Sequence, residues 1–476
     1  MTRFFTGVDP DTLTGSANPS TEVKYNPDPL QIRQEKDFIV KSIILVAYDG
    51  SEYDINWIRE ELVIRESVFE NFMTGYLVLD DSVDLPQLYP IIGEEKLKVV
   101  FTRPAVSDEE DQLPDYTGVF RIYKMTNQQL DADRKQHYVL HFASEEYIKT
   151  LKYRVQRAFE GLKYSTMVEK IFNKYLAGRK PLEVEVTKGE HKFVIPNYYP
   201  VEFFNAVSVM SISAANKGAN YFFFEDKDQF NFKSLGELFG GGVKETYLYQ
   251  PANVLLDQNR ILKDRDIEKD IVSAEGYNLS STFDILANLI QGMYASRLVT
   301  IDSVRKIYNV YDFDYKEKFD SFPHIEKHDV CSDDLDALNG PQSSVRVVTT
   351  NLDQDKVSWI ASREPGILPN KIEKWLQKRM TQLLQIQNMK ISVVVSGDPR
   401  RKCGEIVEFK IPSQVGDVRK DKPQEENKYL TGKYFVSTVI HQLVRDSYKL
   451  HLELIKDTYF NKIEHVDPTD LLDPIW

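Results

Sequence analysis

Cysteine is nearly absent from this 476-residue chain, which carries only Cys331 and Cys403. Two thiols so far apart supply no framework of bridges and no paired Cys-x-x-Cys knuckle, so reduced thiols are the expectation. Long hydrophobic runs are absent too. No window approaches eighteen uninterrupted apolar residues, which excludes a membrane-spanning helix. The first twenty residues, MTRFFTGVDPDTLTGSANPS, lack the apolar stretch of a signal peptide, so folding in the cytosol is expected. A basic excess is also missing: 60 Lys and Arg face 73 Asp and Glu, for a formal net charge of -13. Phosphate attraction needs a basic stripe, so a specific nucleic-acid-binding surface is not expected.

The common signatures of catalysis are missing as well. Gly240 to Gly242 are followed by Val243 and Lys244 without the spacing of a phosphate-binding loop, and no G-x-S-x-G elbow occurs. The acidic runs at Asp108–Asp111, Asp264–Asp270 and Asp333–Asp334 lie in polar sequence. General acid catalysis instead needs one carboxyl raised by an apolar pocket beside another kept ionised. His137 and His141 fall in a strand pattern and read as solvent-facing imidazoles on the face opposite Tyr138, Leu140 and Phe142. The best metal-like spacing is His324, His328 and Cys331 in PHIEKHDVC. It offers three tetrahedral donors but no evident fourth, and Glu326 is misplaced for an H-E-x-x-H site. The expectation is therefore no catalytic residue, no metal and no cofactor.

What is abundant is aromatic: 26 Tyr and 26 Phe, 12% aromatic within 42% apolar residues, which favours strands and interfaces. Length implies several domains. Residues 1–34, rich in Asn-Pro and Asp-Pro, read as an extended or disordered arm. Residues 35–143 hold six strand-like runs, among them ELVIRES, GYLVLDD, KLKVVFT and HYVLHFA, enough for a small β-barrel or sandwich. In KLKVVFT, Leu97, Val99 and Phe101 share one face. Ile64 and Val78 are both expected to point inward.

Residues 144–317 read as an α+β middle domain. SEEYIKTLKYRVQRAF has a helical pattern, and STMVEKIFNKYLAG follows with Thr166 and Glu169 at capping-box spacing and Gly178 at its end. A hairpin, NYFFFEDKDQFNFKS, lies further on. Residues 318–370 form an irregular excursion and 371–388 a helix, with Ile372, Trp375, Leu376, Met380, Leu383 and Leu384 on its apolar stripe. Residues 389–458 read as a second β-barrel and 459–476 as a tail. The fold class is thus α+β and β-rich, with two similar small barrels flanking the middle region. One echo supports the pairing: GVFRIYKMTNQQLDADRKQHYVLHFASEE and KYFVSTVIHQLVRDSYKLHLELIKD share a layout of strand, short connection, strand and acidic exit.

Glu66-Ser67, the strand GYLVLDD from Gly75 to Asp81, the Gly93-Glu94-Glu95 turn before LKVVFT, and VVVSGDPRRKCGEIVEFKIP with LTGKYFVSTVIHQLV and LELIKD occur in an order that resembles the central baseplate hub proteins of T-even-type contractile phages. These are related to the N-terminal part of type VI secretion spike proteins. IPNYYPVEFFNAVSVMSISAA resembles the family's middle domain, and the likeness spans roughly residues 36–458. The resemblance implies a homotrimer whose six barrels make a pseudo-hexameric ring, adapting a sixfold tail tube to a threefold central spike. It implies partners in the spike protein, the tube or tube-initiator protein and baseplate wedge proteins. DNA would pass through the lumen without specific binding, there would be no membrane partner, and the location would be the virion tail after assembly in the host cytoplasm. The competing classes are a tail-associated cell-wall-degrading enzyme and the hub of a type VI secretion or other contractile injection system.

Overall fold

The computed structural model describes residues 38–462 apart from 105–112, 131–134, 217, 250–270, 303–305, 331–343, 350–371, 414–425 and 446. The 1–34 arm, the three acidic runs, Cys331, most of the 318–370 excursion and nearly all of the 459–476 tail lie outside the described residues. Among those described, no helix is long and apolar enough to cross a membrane.

The first half is built from β1 (Ile39–Val46), β2 (Glu52–Asp54), β3 (Arg59–Ser67), β4 (Thr74–Asp81), β5 (Lys96–Thr102), β6 (Tyr116–Leu130) and β7 (Gln136–Ser144). They pair antiparallel in the order β2-β1-β5-β6-β7-β4-β3. Alternation buries Leu62, Ile64, Leu77, Leu79, Leu97, Val99 and Phe101 completely. Val78 does not join them. It is half-buried on the outer face, opposite Val139 and Glu61, because its neighbours Leu77 and Leu79 take the inward positions of β4. Gly75 is dictated by space: a Cβ there would lie 2.2 Å from the Val63 carbonyl oxygen and 2.5 Å from the Phe142 ring. Gly93 is dictated by conformation, with φ of +93°, and both its N–H and that of Ile92 donate to the Glu95 carboxylate at 2.8 Å.

The middle region comprises the helices Glu145–Lys152, Tyr164–Tyr175 and Pro200–Met210 with β8 (Val155–Leu162), β9 (Leu182–Val184), β10 (His191–Tyr198), β11 (Tyr221–Glu225) and β12 (Phe230–Ser234). Phe172, Phe203, Phe204, Phe223 and Phe230 form its core, with Phe204 stacked on Phe223 at 4.2 Å. The long helix expected from SEEYIKTLKYRVQRAF stops at Lys152. Tyr153 is extended, and β8 pairs antiparallel with β10. Val155 and Phe159, four apart and both buried, satisfy a helical period and a strand period equally, so the partner strand decides. The next helix starts at Tyr164, which places Thr166 inside the first turn rather than at the cap, and it ends when the Leu176 and Ala177 N–H groups both donate to the Phe172 carbonyl. Gly178 does not adopt the left-handed conformation. A capping interaction appears instead at Tyr199, whose N–H donates to Glu202 at 2.7 Å ahead of Pro200.

Next come β13 (Val243–Tyr249), β14 (Ser273–Ala274) and β15 (Gly276–Ser281), the helix Ile285–Gln291, and a small sheet of β16 (Ala295–Asp302), β17 (Ile307–Asp314) and β18 (Ser344–Thr349). The helix Leu376–Ile386 leads into β19 (Met389–Ser396), β20 (Ile406–Lys410), β21 (Gly432–Val444) and β22 (Ser447–Lys456). Two features differ from the sequence reading. The strands at 243–281 do not belong to the middle region: β13 lies parallel to β20, and β15 pairs with β19. Nor are the expected barrels separate. β3 pairs antiparallel with β21, from Ser67 opposite Thr438 to Glu61 opposite Val444, which merges both into one 14-stranded sheet with a continuous core. No ladder joins β1 or β2 back to β3 among the described residues, so the first half is an open, curled sheet.

The helix Leu376–Ile386 buries only part of its expected stripe, Leu384 within it and Trp375 just before it. Gln377, Thr381, Gln382 and Gln385 are buried, while Leu376, Met380 and Leu383 are only half-buried. The buried amides each meet a partner: Gln377 donates to the Ser296 and Tyr311 carbonyls at 3.0 and 3.1 Å, Gln382 accepts from Asn220 at 2.6 Å, and Gln385 donates to the Asp457 carbonyl at 2.9 Å. These bonds offset the burial of the amides, although the Gln385 oxygen itself meets no partner.

Candidate functional site at the seam between the halves

β3 ends in Glu66 and Ser67 where it meets β21. The Ser67 hydroxyl lies 3.0 Å from the Thr438 hydroxyl and donates to the Ser437 carbonyl at 3.2 Å, so this side chain ties the halves directly. Glu66 is fully buried. One carboxyl oxygen accepts the Cys403 N–H at 3.1 Å and the other has no hydrogen-bond partner. Burial first, and the nearby charge of Asp226 second, push this carboxyl well above its ordinary range, against the pull of Lys180. Burial and the neighbouring Glu66 likewise push the Cys403 thiol well up, which keeps it an unreactive, packed side chain.

The middle region plugs into the same seam through the β11–β12 hairpin. The Glu225 carboxylate takes Lys180 Nζ at 2.8 Å on one oxygen, and the Met73 N–H at 3.0 Å with the Ser144 hydroxyl on the other. Lys180 also donates to the Asp226 carbonyl at 2.7 Å. Asp226 folds the hairpin tip by accepting the Asp228 and Gln229 N–H groups, and its second oxygen holds Asn231 at 2.8 Å with Lys402 at 3.5 Å. Burial works against the Lys402 charge, but Asp226 and Asp228 outweigh it and hold the ammonium above its usual range.

The second half contributes the turn SGDPRRKCGE. Asp398 accepts the Arg400 N–H at 2.9 Å and the Arg400 guanidinium at 2.9 to 3.1 Å. Burial opposes its ionisation, yet Arg400, Arg401 and Arg103 together hold it below the usual carboxylate range. Gly397 is required by contact, since a Cβ would lie 2.0 Å from the Tyr448 ring. Beside this turn, His441 is buried against Tyr116 and Tyr448. Its Nδ1 lies 2.7 Å from the Tyr448 hydroxyl, and burial pulls the imidazole down to about 3.

This set can hold three units in register. It presents no accessible nucleophile with an adjacent base. The outer face carries a groove of about 600 Å³ lined in part by Tyr76, Tyr123, His141, Gln442 and His451. Its polar groups are already engaged: Gln442 donates to Glu61 at 2.6 Å, His451 lies 2.6 Å from the Gln442 oxygen, and His141 lies 2.8 Å from the Thr126 hydroxyl. His137 is apart from these, between Glu60 and Asp80.

Of the metal-like set, His324 and His328 are described and Cys331 is not. Both ring nitrogens of His324 face acceptors, Asp457 at 2.9 Å and the Phe319 carbonyl at 3.0 Å, while His328 is engaged with Tyr459 through its backbone. No group of three or more His, Cys, Asp or Glu suited to a metal ion occurs among the described residues. The sequence singles out Glu66-Ser67 and the segment holding Asp398 and Lys402 only as carriers of the family resemblance, and it points to no role for Lys180, Glu225 or Asp226. The available signal was the unusual density of charge in EDKD and GDPRRKCGE, both set between strongly apolar strands.

No protein-family model matches the chain, and no curated protein matches it in sequence. Several solved structures are similar to it in fold. A tail protein from Neisseria meningitidis MC58 is 10% identical with a TM-score of 0.48, over 88% of this chain and 97% of that one. The 43 kDa tail protein of prophage MuSo2 from Shewanella oneidensis is 9% identical with a TM-score of 0.49, over 88% of this chain and all of that one. An E. coli component of the type VI secretion system, itself similar to T4 bacteriophage tail proteins gp27 and gp5, is 10% identical with a TM-score of 0.39, over 90% of this chain and 79% of that one.

Proposed function

We propose that the protein is a structural hub of a contractile-tail baseplate, a homotrimer whose paired barrel-like halves form a ring between a sixfold tail tube and a threefold spike and let DNA pass through the lumen. The observation that carries this reading is the β3–β21 ladder. It fuses two hairpin-bearing halves into one sheet, and Glu66-Ser67 and the 396–412 segment, which carry the resemblance to the hub family, meet at that junction. A scaffold that must transmit load between symmetries needs such a junction; an enzyme needs an open, convergent site. Glu66 has the raised carboxyl that an acid catalyst uses, but it is sealed inside the seam. The acidic balance suits a lumen that repels passing DNA. The deciding measurement is the mass of the chain alone and with its spike partner. A trimer, or trimerisation on adding the spike, is expected; a monomer that never associates with spike or tube removes the reading. Clearing of a cell-wall gel by the folded protein would move it to the enzyme class.

A further inference from the structure

The small sheet of β16, β17 and β18 has two faces of opposite character. β16 runs between β17 and β18, and its Ser296, Leu298 and Thr300 are buried, with Gln377 of the helix Leu376–Ile386 bonded to the Ser296 carbonyl. The alternate residues face outward. Register sets Val310 of β17 and Val347 of β18 on either side of Val299, and Asp312 and Val345 on either side of Arg297. On this outer face Tyr308, Val310, Val345 and Val347 are 71%, 44%, 57% and 60% exposed. Its charges cancel, because Arg297 donates to both Asp312 oxygens at 2.7 and 2.9 Å. An apolar, electrically neutral sheet face does not suit nucleic acid or an acidic surface.

A second apolar patch lies on the helix Ile285–Gln291. Phe283, Leu286 and Ile290 are 69%, 75% and 76% exposed, and their spacing of three and four sets them in one row along the helix Ile285–Gln291 and its approach. The opposite side of this helix is anchored, with Asn288 buried and bonded to Asn388 at 3.0 Å. Each patch exposes most of three or four large side chains, on the order of the few hundred Å² that form the largest patch of a typical monomer. A standard interface buries roughly 1,600 Å², a little over half of it apolar, so the two patches together supply apolar area of the right order.

We propose that the outer face of β16–β18 seats the Phe283-Leu286-Ile290 ridge of a second copy of this chain. The contact is head-to-tail, each copy offering a face to one neighbour and a ridge to the other, which is the arrangement a closed ring requires. It rests on the trimer reading above and adds to it a contact that the barrel-like halves do not make.

The test uses the full chain and two variants, Val345→Asp/Val347→Asp on the face and Leu286→Asp/Ile290→Asp on the ridge. All four positions are exposed, so both variants should stay folded, with the circular dichroism spectrum of the wild type. Mass measured by light scattering is expected to fall from trimer to monomer for each variant alone. In an equal mixture, the intact ridge of the face variant meets the intact face of the ridge variant, and a heterodimer should appear. Variants that stay trimeric while folded overturn this contact and leave the trimer reading standing. A wild-type chain that is monomeric alone and with its spike overturns both. As a check independent of folding, Val347→Cys/Ile290→Cys should give an oxidised cross-link between copies, and its absence in a trimer counts against the contact.

Discussion

The chain is held together at two interior junctions that solve the same problem with different chemistry. At the seam, a backbone ladder between β3 and β21 is flanked by Glu66, Lys180, Glu225, Asp226, Asp398 and Lys402, most of them buried and ionic. At the helix Leu376–Ile386, uncharged Gln and Thr side chains reach the β16–β17 pair, the middle region and the exit of β22. A buried ion pair is costly to break because the survivor is left charged, whereas a lost amide bond strands only a dipole. The seam should therefore behave as an all-or-none junction that keeps the halves in one register. The glutamine helix should let its attached sheet loosen alone.

The largest effect tests the core that both halves share. Ile64→Asp puts an unpaired charge at a position with no solvent exposure, at a cost of several kcal/mol, comparable with the stability of a whole domain. Loss of soluble folded protein, followed by circular dichroism, is expected. Val78→Asp, fourteen residues on but on the outer face, should cost about 1 kcal/mol or less, in the range of ordinary surface changes. Equal damage from the two would mean that the inward and outward faces of β4 have been assigned the wrong way round.

Glu225→Ala comes next. It leaves Lys180 without its carboxylate and removes the acceptor of the Met73 N–H and the Ser144 hydroxyl, for a loss of about 3 kcal/mol. Chemical denaturation should show one transition shifted as a whole. A separate early transition, with the middle region melting alone, would contradict the all-or-none view of the seam.

Acid should act on the seam through His441. The folded ring is held neutral, with burial pulling it from 6.5 to about 3, so its contribution is fully present above pH 6.5 and is lost as pH falls toward 3. Each pH unit in that window should remove about 1.4 kcal/mol through this one group. His441→Gln keeps an acceptor for the Tyr448 hydroxyl and removes the titration. Denaturant midpoints from pH 7 to pH 4 should fall less steeply for the variant, and parallel curves would show that His441 is not held neutral.

These junctions also mark how far the sequence can be read. Strand alternation in KLKVVFT is a local signal, and it places Leu97, Val99 and Phe101 inside. Glu66-Ser67 is visible as a motif, but nothing near it says that Cys403, 337 residues away, supplies its partner. The β3–β21 and β13–β20 pairings join segments separated by well over a hundred residues, and no local period encodes them. The segment from Val155 to Phe159 fits both periods at once. The helix stripe is legible only in part: Trp375 and Leu384 are buried as expected, but Gln377 and Gln385 look like surface residues until their acceptors are in place. Polar side chains buried by partners elsewhere in the chain are the part of this fold, and of its seam, that composition and spacing leave hidden.

The smallest effect belongs to the second junction. Gln377 Nε2 has three acceptors within 3.2 Å but only two hydrogens, so Gln377→Ala removes at most two good bonds. A net cost of about 1–2 kcal/mol follows from the bonds lost. The global midpoint should move little. Hydrogen exchange should instead quicken in β16 and β17 while the amides of β3 and β21 keep their protection, since local opening draws on whichever junction is weaker. Exchange that quickens equally at the seam would show that the two junctions are one cooperative unit, and the contrast between ionic and amide attachment would lose its meaning for this protein.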